Sequence, residues 1–566
     1  MDRFTSRRRS VQDVPVTSIL AGGDVPFDPN HPNWTADEEV LAALGYKAEF
    51  KREFGLMTTF AVSFAVLGLL PSFASTLYYG MGYAGTAGMT WGWVVALTGI
   101  MAVAASMAEI CSSMPTSGGL YYAAAVLAPP GWGPFAAWVT GWSNWLAQVT
   151  AAPSINWGIA SMTLAAKSIT DPSFHASDYQ VFLLTSAFMI IHAFMASVPT
   201  RWIANINSFG SILNIMTLII VLIMIPAGTN REEQGISKFN KDSAVWGDIY
   251  KGTAYPDGIS VLMSFIAVIW TMSGYDSPFH LAEECSNANV ASPRAIVLTG
   301  ATGGVFGWFL QLVVAYTVVD IDGVLESDIG QPFAAYLAQC MSQKMVLAIL
   351  SLTIIAGFFM GQGAMIAASR VTFAYARDDC FGPASGFIKK VHPLTSTPVN
   401  AVWFNAVVGI GTLFLIFGGE IAIGALFSIG ALAAFFSFAT PIFIRAFLVG
   451  DRFRRGPWHL GKFSIPIAAY ASAFVLLMIP ILCLPSVVGK DLTAETMNWT
   501  CVVWGGPMAF VTVWWFVSAK HWFKGPKVNV DHMIHNRTDA VLEGKPMDSD
   551  SGSDNAAPVG EKKTEL

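Results

Sequence analysis

The chain has 566 residues, 54% of them hydrophobic and only 12% charged, with a mean hydropathy of +0.51. A soluble domain carries about twice that charged fraction, which excludes a water-soluble globular protein and leaves an integral membrane protein. The formal net charge of −6 comes mainly from the tails and outer loops, so it points to no nucleic-acid partner.

Residues 1–34 are polar and too poor in apolar surface to fold alone, and they read as a disordered cytosolic tail. Residues 1–50 lack a short apolar stretch ending at a small-residue cleavage site, so the first true span is expected to direct the chain to the membrane. The stretch "TADEEVLAALGYKAEFKREFG", residues 35–55, resembles an amphipathic pre-membrane helix starting at Thr35. It either plugs the cytoplasmic end of the bundle or lies solvated beneath it.

Residues 56–525 form the expected twelve-helix domain. Its apolar stretches, each about the 20 residues that cross a bilayer, lie at 58–79, 87–112, 132–166, 178–198, 204–227, 257–284, 295–319, 344–376, 399–418, 421–447, 464–488 and 499–519. With both termini cytosolic, most of the 32 Lys and Arg residues fall inside, including Arg7, Arg8, Arg9, Lys389, Lys390, Arg452, Arg454 and Arg455. The outer ones gather in one loop, as Arg231, Lys238, Lys241 and Lys251, and an even number of spans agrees with that bias. Residues 526–566 read as a second disordered cytosolic tail.

Six cysteines (Cys111, Cys285, Cys340, Cys380, Cys483 and Cys501) show no paired spacing, so neither a disulfide framework nor a zinc site is implied. No His-Glu-x-x-His pair or comparable catalytic cluster occurs, which argues against an enzyme and calls for no metal or cofactor. Of the three Asn-x-Ser/Thr matches, Asn33 and Asn536 fall on the cytosolic side, and Asn498 faces out close to the membrane.

The first and sixth spans carry helix breakers at their centres. "FAVSFAVLGLLPSFASTLYYG" (60–80) holds Ser63, Gly68 and Pro71, and the sixth span holds Ser273, Gly274, Ser277 and Pro278. Within a helix Gly costs about 1 kcal/mol and Pro about 3 kcal/mol, so both spans are expected to break. Interrupted apolar segments at matching positions in two halves mark a transporter built from inverted repeats, with its substrate at the breaks. Freed N–H groups of one half-helix suit a carboxylate, and freed carbonyls at the other break suit an ammonium. The bland reading is a pair of proline kinks, since Gly and Pro are common in membrane helices.

Three motifs, "AEICSSMPTSGGLYYAAAVLAP" (108–129), "SGYDSPFHLAEECSNANVASPRAI" (273–296) and "AASRVTFAYARDD" (367–379), together resemble the amino acid/polyamine/organocation transporter superfamily. The nearest likeness is its fungal amino acid/choline branch, with 4-aminobutyrate permeases and choline permeases. "GWSNWLAQVTAAPSINWG" (141–158) and "RRGPWHLGKFS" (454–464) extend the resemblance over roughly residues 35–525. It implies an all-α integral membrane protein of twelve transmembrane helices, arranged as a five-plus-five inverted repeat with discontinuous helices 1 and 6 and two further helices. It also implies alternating access, coupled to protons rather than sodium.

Superfamily members bind a substrate carboxylate through a Gly/Ser-rich turn before a Leu-Leu-Pro. Here Phe64, Ala65 and Val66 stand at those positions, before Gly68, so only backbone groups and Ser63 serve an anion there. In the sixth span Trp270, Ser273, Gly274 and Tyr275 are candidate substrate contacts, the aromatic pair through cation–π attraction to an ammonium, although aromatic packing explains each equally. Trp145 and Gln148 of the third span sit on nearby turns of an apolar face and are candidates as well. Phe358, Phe359 and Gln362 of the eighth span are similar but read more readily as packing.

Asp276 falls inside the predicted break, where related transporters carry an acid. A buried carboxylate disfavours its charged form and so exchanges a proton readily, which makes Asp276 the first choice for coupling; capping the second half-helix is the alternative. Glu283 and Glu284 lie nearer the cytosolic end and read as gate acids pairing with Arg370 or Arg377. His280 reads as a hydrogen-bonded packing residue rather than a proton carrier. Glu109 ends the second span beside "MPTSGG", where a short irregular segment is expected to close the inner face.

The leading functional reading is a secondary active, proton-coupled transporter in the lipid bilayer that imports 4-aminobutyrate or another amino acid. Choline or a related quaternary amine is the alternative, because the missing Gly/Ser turn leaves room for a solute without a carboxylate. A nutrient sensor that has lost transport is a third class, which large cytosolic domains would favour; none is visible. The plasma membrane is the expected location and the vacuolar membrane the alternative.

Overall fold

In hydrocarbon the backbone must satisfy its own N–H and C=O groups, and this chain does so with helices. The computed structural model describes Leu41, Leu44, Arg52 and residues 54–418, 420–449, 453–494 and 496–526. Among the described residues there is no β-strand, only an isolated bridge between Phe54 and Cys285. The readings for residues 1–34, most of 35–55 and 527–566, with Asn33 and Asn536, lie outside the described residues.

The chain is an all-α membrane protein of twelve spans. The first two run together as Leu56–Leu67 and Leu69–Ser113, turning at Gly85, whose φ of +62° ends one span and begins the next. The third to fifth are Gly133–Thr170, Asp178–Ala196 and Thr200–Gly228. The sixth is divided into Asp257–Thr271 and a short inner part, Ser277–His280 followed by Ala282–Glu284. Ala288–Thr317, Gln343–Arg377, Val399–Gly418, Glu420–Ile444, Ser464–Ile481 and Thr500–Trp522 complete the set. Nine described stretches qualify as spans by length and apolar composition alone. The first of them, Leu56–Ser113, holds two spans, while the more polar third and the divided sixth fall below that measure.

Both ends of the described chain lie on one face, here termed the terminal face. Phe54 pairs there with the end of the sixth span, and Gly525 lies against Pro134 at the start of the third. Leu41 and Leu44, from the segment before the first span, are buried at this face, where the Tyr122 hydroxyl donates to the Leu44 carbonyl at 2.9 Å. Residues 114–118, the "MPTSG" after the second span, are irregular as expected, and a helix follows them. "GLYYAAAVL" forms the helix Gly119–Leu127, because this apolar run is too short to cross a membrane and can only bury itself in the bundle. "RRGPWHLGKFS" docks on the end of the second span, with the Leu460 N–H donating to Glu109 at 3.1 Å and the Trp458 N–H to Ser112 at 2.9 Å. None of the six cysteines is disulfide-bonded.

Candidate functional site

The site begins with two glycines that no other residue replaces easily. Leu56–Leu67 stops at Gly68, which adopts φ +45° and donates its N–H to the Phe64 carbonyl. A Cβ there would lie 2.4 Å from Cγ of Met360. The helix restarts at Leu69, and its first turn leaves N–H groups outside the helical ladder. Because Pro71 has none, Leu69 and Leu70 supply them. On the other side of the break the Ala65 and Val66 carbonyls end the first half, while that of Leu67 accepts from the Ser72 hydroxyl at 2.9 Å.

The sixth span breaks between Thr271 and Ser277, around Gly274 with φ +109°. A Cβ on Gly274 would come within 2.9 Å of the Leu67 nitrogen, so the two broken backbones approach as closely as a missing side chain permits. Ser63 ties them together by donating to the Gly274 carbonyl at 3.1 Å. The Ser273 hydroxyl turns back onto the Ile269 carbonyl at 2.8 Å.

A cavity of about 60 Å³ lies where the breaks meet, lined among others by Val66, Gln148, Trp270, Ser273, Gly274 and Asp276. Among the described residues Asp276 is its only ionisable lining side chain. The carboxylate accepts from Nε2 of Gln148 at 3.0 Å, and Nε2 of His280 stands 3.4 Å from the same oxygen. Although Asp276 immediately precedes Ser277–His280, its side chain makes no capping hydrogen bond. His280 is fully buried with neither ring nitrogen hydrogen-bonded, which does not match a hydrogen-bonded packing residue.

Other candidates from the sequence sit beside the cavity rather than on its wall. Phe64, Ala65 and Tyr275 are buried in the bundle, the Tyr275 ring 5.9 Å from that of Phe438. Trp145 donates to the Thr372 hydroxyl at 3.1 Å and packs on Trp142 and Phe381 nearer the terminal face. Phe358 packs on His192 and Phe359 on Phe209.

Sequence reasoning missed the opposite side of the site. Trp270 meets Phe427 of the tenth span, and beyond that contact lies a larger cavity of about 370 Å³, lined in part by Tyr78, Tyr79, Tyr83, Trp157 and Phe427. The tyrosines of "STLYYGMGY", following Pro71 in the first span, were the available signal.

Toward the terminal face the site is shut. Arg370 donates through Nε and Nη2 to the two oxygens of Glu284, at 2.7 and 3.3 Å. Arg377 grips Glu283 the same way, at 3.0 and 2.9 Å, and Glu283 also accepts from the Thr116 hydroxyl and the Ser117 N–H. All four charges are buried, so each pair must compensate its own desolvation. The segment before the first span reinforces the closure: the Phe54 N–H donates to the Glu284 carbonyl and the Ser286 N–H to the Phe54 carbonyl.

Residues 54–507 match the family described as "Amino acid permease". An uncharacterized amino-acid permease of Schizosaccharomyces pombe is 56% identical, over 90% of this chain and 93% of its own. A Candida albicans protein named "Putative polyamine transporter" is 48% identical, over 91% of this chain and 93% of its own. The amino-acid permease BAT1 of Arabidopsis thaliana is 32% identical, over 90% of this chain and 99% of its own.

Proposed function

We propose that this chain, which belongs to the amino acid permease family, imports a small amine-bearing solute by secondary active, proton-coupled transport, with 4-aminobutyrate or another amino acid as the solute. Family membership and the named relatives support a transporter of amino acids or polyamines. The observation that carries the finer reading is the lone ionisable group, Asp276, on the wall of a cavity where two broken helices meet. A carboxylate in a dry site attracts an ammonium strongly. The N–H groups of Leu69 and Leu70, at the positive end of a half-helix, suit the carboxylate at the other end of an amino acid.

The quaternary-amine alternative finds less support. Among the described residues Trp270 and Phe438 are the only aromatic ones on the wall, whereas a cation without N–H donors depends on aromatic enclosure. A non-transporting sensor has no need of a cavity closed on one side by buried ion pairs and on the other by an aromatic contact, a layout that suits alternating access. The terminal face is assigned to the cytosol because it carries Arg294, Lys389, Lys390, Arg454, Arg455 and Lys520. The plasma membrane is the location that an importer requires first.

The test is uptake into proteoliposomes of labelled 4-aminobutyrate, common amino acids, putrescine and choline, with and without a protonophore. The expected outcome is accumulation of 4-aminobutyrate or an amino acid that collapses on uncoupling. Accumulation of choline or putrescine alone would replace the substrate assignment, and accumulation of none would return the chain to the sensor reading.

A further inference from the structure

We infer that Asp276 and His280 form a two-residue proton site, in which His280 takes the coupling proton from the cavity and hands it toward the terminal face. The inference rests on the carrier reading above and names its proton path. His280 lies one turn beyond Asp276, completely buried, with Nε2 3.4 Å from the carboxylate and neither nitrogen hydrogen-bonded. A buried imidazole with both nitrogens unmatched is costly as a packing residue. The same imidazole suits a group whose partners change during a cycle.

The two nitrogens point to different places. Nε2 faces Asp276 and hence the cavity, whereas Nδ1 faces the turn at Gly119, where a Cβ would lie only 3.1 Å away. That turn has φ +51° at Gly119, and its Ser117 is held through its N–H by Glu283, the acid gripped by Arg377. The Ser117 hydroxyl is itself buried without a partner. Separation of Arg377 from Glu283 therefore loosens the turn that covers Nδ1, linking proton release to opening of the terminal face.

The step balances on the imidazole alone. A proton leaves the Asp276 carboxyl as its bond to Nε2 forms, the proton on Nδ1 departs to water when the turn opens, and a flip of the freed ring returns a bare nitrogen to Asp276 for the next cycle. The other charged or titratable groups on the elements around His280 are accounted for. Glu283 and Glu284, from its own segment, are paired with Arg377 and Arg370 of the eighth span. Tyr121 donates to Asp378 and the Ala374 carbonyl, and Tyr122 to the Leu44 carbonyl. Cys285 is buried against Thr59, Arg294 of the seventh span is exposed, and the first half of the first span carries no titratable side chain. Among these acids Asp276 alone faces His280 without an arginine. With Asp276 ionised and His280 protonated, the pair is neutral, and a zwitterionic amino acid leaves it so; proton and solute are then occluded without a buried net charge.

The test uses the full chain in detergent, isotope-labelled at its nine histidines, and in proteoliposomes. One imidazole NMR signal is identified as that of His280 by its loss in His280→Gln. In Asp276→Asn that signal is expected to change position at fixed pH, because the carboxylate 3.4 Å from Nε2 is gone. In proteoliposomes His280→Gln is expected to lower pH-gradient-driven accumulation of labelled 4-aminobutyrate about tenfold or more, while exchange at equal pH stays within about threefold of wild type. A His280 signal that ignores Asp276→Asn overturns the inference, as does wild-type accumulation by His280→Gln. Loss of exchange together with accumulation in both His280→Gln and His280→Asn, with each eluting as a folded monodisperse protein, also overturns it by making His280 structural. A His280 signal coupled to Asp276 in a protein that accumulates none of the solutes would refute the carrier reading and leave the proton site standing.

Discussion

The ring of Trp270, on the wall of the cavity at the breaks, meets edge to face that of Phe427, on the wall of the larger cavity, with centroids 4.8 Å apart and planes at 78°. Such a pair contributes about 0.5–1.5 kcal/mol beyond its buried area, enough to bias a lid closed and little enough to let it part. Phe427→Ala is expected to merge the two cavities and raise the apparent KM for labelled 4-aminobutyrate by about 3- to 10-fold. It should also abolish any solute-dependent change in tryptophan fluorescence that reports Trp270. If KM and the fluorescence response both survive, the pair is not the lid.

Gly68 and Gly274 break their spans in different ways, and substitution separates them. A Cβ on Gly68 overlaps the flexible Met360 side chain, whereas one on Gly274 overlaps the Leu67 backbone nitrogen. Gly68→Ala is expected to lose about 1–2 kcal/mol from its left-handed φ even when Met360→Ala removes the overlap. No side-chain truncation relieves Gly274→Ala, so it is expected to yield little folded protein. Thermal unfolding of the detergent-extracted variants decides the matter, and equal tolerance at both positions would contradict the close approach of the two breaks.

Much of this architecture is legible in the sequence because apolar length and helix-breaking residues act locally. Most spans announce themselves by about 20 apolar residues, and Gly68, Pro71, Gly274 and Pro278 by their cost inside a helix. Glu283 and Glu284 had to find counter-charges inside the membrane, and Arg370 and Arg377 were the basic residues one span could bring. What the sequence does not carry is the rotation of side chains about a broken backbone. Past Gly274, with its φ of +109°, the reading for a helix no longer says that Asp276 turns to the cavity and Tyr275 away from it. Nor does spacing reveal that Phe427, more than 150 residues along the chain, supplies the partner of Trp270, or that His280 is left without a hydrogen bond. Those depend on which spans pack together.

The two Glu–Arg pairs on the terminal face are buried, so removing one partner leaves an uncompensated charge. Arg377→Met is expected to lower stability by about 3–5 kcal/mol, and the double variant Glu283→Gln with Arg377→Met to recover most of that loss. Gln at position 283 keeps an oxygen to accept from Thr116 and Ser117, which an aliphatic side chain would not. Thermal unfolding of the single and double variants measures the coupling. Recovery of stability without recovery of gradient-driven uptake is the expected split, since the neutral pair still packs but no longer forms and breaks with opening of that face.

Asp276→Asn removes the charge from the cavity wall while keeping its shape, because the new amide oxygen still accepts from Nε2 of Gln148, now 3.0 Å from the carboxylate. A hydrogen bond to a charged group contributes about 1.5–3 kcal/mol, so kcat/KM for an ammonium-bearing solute is expected to fall by roughly 10- to 150-fold. Gln148→Ala, which leaves the carboxylate charged but unsupported on one side, is expected to cost less. If the two effects prove equal, orientation rather than charge governs the site; if Asp276→Asn transports as well as wild type, the ammonium binds elsewhere. The comparison needs only initial uptake rates of labelled 4-aminobutyrate across a concentration series, and it separates the charge of Asp276 from its geometry because both variants keep the broken backbones of the first and sixth spans intact.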